Sequence, residues 1–146
     1  MKLYLMRHGQ AASIEDDPEQ GLSSNGKASI EQLAHKLAQQ EVTFKQVFHS
    51  EKARARQTAE IMANILAPDA TPAYKANLKP NDDPEKLLAD INAMQEDTLL
   101  ASHLPFIPHL LMLLTGNNQP SNFTPGTIAC LTKNGSQWQL EWITHP

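Results

Sequence analysis

Three short runs in this sequence combine arginine, histidine and small residues in ways that suit a phosphoryl group. Arg7-His8-Gly9 closes an apolar run, Leu3 to Met6. His49-Ser50 closes a second short run, and Arg54 follows soon after. Ser102-His103-Leu104 closes a third. Arginine offers a planar fork that matches phosphate oxygens in pairs. Histidine can take a phosphoryl group on one ring nitrogen while a neighbour holds its other N–H. Glycine at position 9 lets the backbone approach a ligand closely. The chemistry read from these residues is phosphoryl transfer, or hydrolysis of a phosphate ester, with a histidine nucleophile.

Bringing the three runs together demands a particular architecture. Leu3 to Met6 is apolar at every position, as in a central strand buried on both faces. Val47-Phe48 and Thr98 to Ala101 read as two further short strands. A helix is expected over about 25–40, where Ile30, Leu33, Ala34, Leu37 and Ala38 form one apolar stripe. A second covers about 51–66, and a third about 84–94, with Pro84 suited to a first turn. A fourth starts at Pro105 or Pro108 and ends near Thr115, with Gly116 just past its end. Residues 10–21 form a charged, exposed loop, and 67–80, with Pro68, Pro72 and Pro80, is irregular. Asn134-Gly135 between Thr127–Thr132 and Gln137–Ile143 signals a β-hairpin.

Alternating strands and helices predict the α/β class: a single three-layer α/β/α domain over 1–146, with a mainly parallel central sheet and a C-terminal hairpin at its edge. Right-handed crossovers place the carboxyl ends of parallel strands along one edge, where such folds bind ligands. All three polar runs fall there. The amino end of the last helix would point at the same crevice.

Composition narrows the partners. Twelve Lys and Arg against 16 Asp and Glu give a net charge of −4, so there is no basic footprint for nucleic acid. One cysteine, Cys130, excludes an intrachain disulfide framework and suits a reducing compartment. The apolar run Leu110 to Leu114 is far short of the roughly 20 residues that span a bilayer. A cytoplasmic, soluble monomer without membrane, metal or organic cofactor is the expectation.

The motifs carry a resemblance. Leu5-Met6-Arg7-His8-Gly9-Gln10 resembles the signature of the histidine phosphatase superfamily, which includes the phosphoglycerate mutases. Leu22-Ser23-Ser24-Asn25-Gly26, the run Ser50 to Thr58, and Ser102-His103-Leu104-Pro105 resemble that family's later blocks, in order. Short length and a compact hairpin end make the chain most similar to the SixA phosphohistidine phosphatases. The resemblance implies that His8 is the nucleophile, that Arg7 and Arg54 clamp the phosphoryl oxygens, and that His103 supplies a further donor. Gly9, Ser102 and Leu104 are then expected to contact substrate. It also implies a partner: a phosphorylated histidine-phosphotransfer domain of a signalling relay.

One departure bears on the substrate. Larger members carry a glutamate general acid in the region matching about 78–84, where this chain reads Leu78-Lys79-Pro80-Asn81-Asp82-Asp83-Pro84. Alkoxide leaving groups need protonation, whereas imidazole departs with little help. The missing glutamate favours phosphohistidine. Asp82 or Asp83 reaching the site would instead favour small phosphoesters, and a non-catalytic phosphate-binding module is the alternative of a different class.

Other eye-catching residues have ordinary readings. Arg56 lies about 200° round a helix from Arg54 and should be solvated. His49 should point away from its neighbour's face, as strand alternation requires. His35, His109 and His145 are given no role, and Cys130 is a packed small residue. A metal held by His8, His103, Asp82 and Asp83 is disfavoured, because paired arginines would repel the cation.

Overall fold

The computed structural model describes residues 1–117 and 122–146. The chain runs through β1 (Lys2–Arg7), α1 (Ser24–Gln39), β2 (Gln46–His49), α2 (Ala53–Leu66) and β3 (Ala73–Tyr74). A 3-10 turn (Pro84–Leu87) leads into α3 (Leu88–Ala93), followed by β4 (Thr98–Ser102), α4 (Phe106–Thr115), β5 (Ile128–Asn134) and β6 (Gln137–Thr144). The six strands form one mixed sheet in the order β3-β2-β4-β1-β5-β6. Its first four strands are parallel, and the C-terminal hairpin adds two antiparallel strands at the edge. This is the expected α/β architecture.

Alternation along β1 builds the three layers. Tyr4 and Met6 pack with Ile30, Leu33 and Leu37 of α1 and with Met62 and Leu66 of α2. Leu3 and Leu5 pack on the other side, with Ile91 of α3 and Phe106 and Leu110 of α4. A strand with both faces covered must be apolar throughout, which is why β1 shows no polar alternation.

Local chemistry sets the helix ends. Ser23 caps α1 by accepting from the Gly26 N–H at 2.9 Å. Gly116 ends α4 in the left-handed conformation, φ 68°, which glycine adopts without strain. The third expected helix is shorter than its pattern: Asp83 caps only a 3-10 turn, and α-helix proper begins at Leu88. Within the irregular stretch the structure adds β3, a two-residue strand pairing with Phe48 and His49. So short an element leaves no periodic trace. The hairpin turn is centred on Gly135-Ser136 rather than on Asn134-Gly135, since Asn134 pairs directly with Gln137.

Candidate active site

The register of the parallel strands aligns the site. Arg7 lies opposite Ser102 across β1 and β4, and His49 lies opposite Ala101 across β2 and β4. The chain beyond each strand therefore emerges at one level. Beyond β1, the His8 N–H donates to the Ser102 carbonyl at 2.9 Å. The Gly126 N–H donates to both the Arg7 and His8 carbonyls, at 3.2 and 3.0 Å. His8 is thus fixed from β4 on one side and from the segment before β5 on the other.

Its ring is fixed as well. His8 Nδ1 lies 2.7 Å from the Gly9 carbonyl oxygen. A carbonyl only accepts, so Nδ1 carries the proton and Nε2 keeps a free lone pair. Burial, with Arg54 and Arg7 nearby, pushes the His8 pKa down to about 4, although the Gly9 hydrogen bond works in the opposite direction. At neutral pH the ring is an uncharged imidazole with Nε2 able to act as a nucleophile.

His103 lies beside it, the two ring centroids 5.1 Å apart. Its Nε2 is 2.6 Å from the Ser50 hydroxyl, in the turn between β2 and α2. The Ile107 N–H donates to the His103 carbonyl at 2.9 Å, so the start of α4 fixes the backbone here. Burial, then His8, Arg54, Lys52 and Arg7, push the His103 pKa down to about 3.

Arg7 donates through one terminal nitrogen to the Phe123 carbonyl at 3.0 Å. Its Nε and His103 Nδ1 are buried without a hydrogen-bond partner among the described residues. Buried polar atoms are nearly always paired in folded proteins, so these two unpartnered atoms, on two side chains of the site, call for partners. Arg54 stands in the first turn of α2, close enough for its charge to act on both imidazoles. The set can hold a tetrahedral anion and attack it: a lone pair on His8, and donors on Arg7, Arg54 and His103.

Two residues expected at the substrate have other work. The Gly9 N–H donates to the Thr58 hydroxyl at 3.0 Å, and the Gly9 carbonyl holds His8. Its lack of a side chain serves packing: a Cβ there would sit 2.8 Å from Ile30 Cγ1. Nor does Ser102 present its hydroxyl, which donates to the Leu78 carbonyl in a fully buried position. Both act as scaffold beneath the site. Leu104, by contrast, is exposed beside His103.

Both aspartates of the 78–84 segment are engaged locally. Asp82 accepts from the Lys79 N–H at 2.9 Å, and Asp83 from the Glu85 N–H at 3.0 Å. Each closes its own turn. His49 bonds the Ser50 carbonyl through Nδ1, Arg56 pairs with Glu60 at the surface, and Cys130 is buried in β5.

Sequence reasoning gave no role to Ser50, Lys52 or Thr58, although all three fall within the run quoted for its motif. Thr58 also donates to the Arg54 carbonyl at 2.8 Å, tying the turn after β1 to α2. A hydroxyl four residues along a helix from an arginine was the available signal.

Comparisons with known proteins bear on the fold and the family. The structure is similar over 98% of the chain to the protein histidine phosphatase SixA complexed with tungstate, with TM-score 0.88, 28% identity and 96% of that chain covered. A SixA phosphohistidine phosphatase candidate from Agrobacterium tumefaciens superposes with TM-score 0.82 at 26% identity, covering 99% of this chain and 97% of the other. A phosphoserine phosphatase from Entamoeba histolytica, 16% identical, shares the fold, with TM-score 0.75 over 97% of this chain and 95% of that one. An uncharacterised protein from Picosynechococcus is 41% identical over 66 residues, 43% of this chain and 40% of that relative's length. The model of the histidine phosphatase superfamily, branch 1, matches residues 3–79, just over half of the sequence. The chain belongs to the histidine phosphatase superfamily.

Proposed function

We propose that this phosphatase removes phosphate from histidine on a protein partner, a histidine-phosphotransfer domain of a signalling relay. The observation that carries this reading is the sign of the charges around the site. Arg54 and Arg7 act on His8, and Arg54, Lys52 and Arg7 act on His103, with no carboxylate among them. Such a surround stabilises anionic oxygens strongly, and among the described residues no carboxylic acid acts on either imidazole to stand ready for an alkoxide. Imidazole needs no such acid, because phosphohistidine protonated on its other nitrogen leaves as a neutral ring. The likeness to SixA supports the same substrate class, and tungstate is a tetrahedral oxyanion like phosphate.

The reaction has two steps. His8 Nε2 attacks phosphorus as the P–N bond to the target imidazole breaks, giving a phosphorylated His8 ring that still holds its Nδ1 proton against Gly9. Water then attacks phosphorus, the bond to Nε2 breaks, and neutral His8 returns with release of inorganic phosphate. The ring never has to shed the Nδ1 proton. Arg7, Arg54 and His103 stabilise the equatorial oxygens throughout. Leu104, exposed at the rim, offers apolar surface to a protein-borne phosphate.

A panel of phosphohistidine protein, phosphoserine peptide and phosphoglycerate tests the proposal. Phosphohistidine should lead by kcat/KM, since a missing general acid costs about 10²–10⁴-fold on alkoxide substrates. Replacing Asp82 and Asp83 together by Asn should leave phosphohistidine turnover nearly unchanged. Equal turnover of phosphoserine or phosphoglycerate, lost in that double variant, would replace this reading with a small-phosphoester phosphatase. Phosphate binding without release from any member would leave a binding module.

A further inference from the structure

We infer that Ser50 is a positioning residue whose hydroxyl fixes the His103 tautomer, so that Nδ1 presents a proton to the phosphoryl group. The inference rests on the reading of His103 as a phosphoryl contact and concerns what prepares it for that task.

Ser50 and His103 are 1% and 2% exposed, so their polar atoms must satisfy one another. A hydroxyl has one hydrogen to give and two lone pairs. The Lys52 N–H, at the start of α2, points at Ser50 Oγ from 3.3 Å and takes one lone pair. Two arrangements of the 2.6 Å contact to His103 Nε2 remain. If Nε2–H donated to Ser50, the serine hydrogen would be buried with no acceptor among the described residues, and His103 Nδ1 would offer a bare lone pair to the phosphoryl oxygens it is read as contacting. Each costs free energy, the first as a buried unsatisfied donor and the second as direct repulsion. If instead the serine hydroxyl donates to Nε2, every group in the relay is satisfied except Nδ1–H. That nitrogen is one of the two buried side-chain atoms without a partner among the described residues, the other being Arg7 Nε.

The relay therefore runs from the Lys52 N–H to Ser50, and from Ser50 to His103. With its pKa pushed down to about 3, His103 carries a single ring proton at neutral pH, and its location is the whole issue. His8 and His103 then hold the same tautomer for opposite tasks. His8 spends Nδ1–H on Gly9 to expose a lone pair, whereas His103 spends its lone pair on Ser50 to expose Nδ1–H.

Long-range proton–nitrogen NMR of the uniformly ¹⁵N-labelled wild-type protein at neutral pH reads this directly. His103 should show a protonated Nδ1 and an unprotonated Nε2, and a protonated Nε2 would overturn the inference. That measurement needs neither turnover nor a variant, so it stands whether or not phosphohistidine is the substrate. In Ser50→Ala the His103 signals should shift towards a mixture of tautomers. Its kcat on phosphohistidine protein should fall roughly 10- to 100-fold, as when the outer hydrogen bond of a ligating histidine is removed. Ser50→Thr, which keeps a hydroxyl, should retain the wild-type tautomer. In a His103→Ala background, adding Ser50→Ala should cost nothing further; a full additional loss would show that Ser50 acts independently of His103.

Discussion

His8 and His103 face each other with ring centroids 5.1 Å apart and planes tilted by 57°, each held through one nitrogen by a different neighbour. Burial above all, and then the two arginines, keeps both imidazoles from taking up a proton, and His8 adds to the effect on His103. Their folded pKa values fall to about 4 and about 3, below the ordinary value of 6.5. As the pH drops through about 6.5 the unfolded chain therefore takes up protons that the folded chain refuses. Stability contributed by the neutral pair is present above that pH and is lost progressively as the pH falls, down to about 4 for His8 and about 3 for His103. Thermal melts between pH 7 and pH 4 should show a falling Tm. The His103→Gln variant should show a shallower fall, and an unchanged slope would mean that the pair does not titrate as described.

The nucleophile makes a sharper claim. His8→Ala should abolish turnover while leaving the melting transition cooperative. Acid quenching of the wild-type protein during turnover should trap acid-labile, base-stable phosphate on His8. Mass spectrometry of the quenched digest locates it, and phosphate on any other histidine would move the nucleophile elsewhere.

Arg54 tests charge stabilisation against mere holding. Its guanidinium acts on both imidazoles from the first turn of α2. Arg54→Ala should lower kcat as well as raise KM, because an interaction that strengthens in the transition state appears in kcat. Lysine should rescue poorly, since a point charge cannot reproduce a two-pronged contact. A change confined to KM would reduce Arg54 to a substrate holder.

Two glycines separate packing from catalysis. An added Cβ at Gly9 would meet the Ile30 side chain, whereas one at Gly26 would run into the Gln10 carbonyl oxygen. Side chains yield more readily than backbone. Gly9→Ala should cost about 1–3 kcal/mol by overpacking, and Gly26→Ala more than that. Combining Gly9→Ala with Ile30→Val should not deepen the loss by the full cost of the second change, since both act on one contact. Denaturant melts measure both.

What the sequence made legible follows from how each residue is held. That His8, Arg7, Arg54 and His103 come together could be read because each lies at a strand end or in the first turn of a helix, and the ends of parallel strands converge by topology alone. Gly9 and Ser102 were assigned to the substrate because adjacency in sequence says nothing about which way a polar group turns. The Ser102 hydroxyl goes to Leu78, 24 positions away, and no spacing announces that bond. Ser50 stood in one of the quoted runs, but its task stayed hidden for the same reason: its partner, His103, is 53 residues distant. The edge strand Ala73–Tyr74 carries two residues and no period, so only pairing reveals it.

The Phe123 carbonyl that grips the Arg7 guanidinium has a consequence for how the protein can be divided. The family model ends at residue 79, yet the bond that aims Arg7 comes from residue 123, and the Thr127 carbonyl holds the Arg7 N–H at 3.0 Å. The conspicuous motif is therefore only half of the working part. A fragment stopping after α3 would keep His8, Arg7 and Arg54 in its sequence while losing the contacts that fix His8 and Arg7. The C-terminal hairpin and the segment leading into it are a splint for the first seven residues, set from the opposite end of the chain.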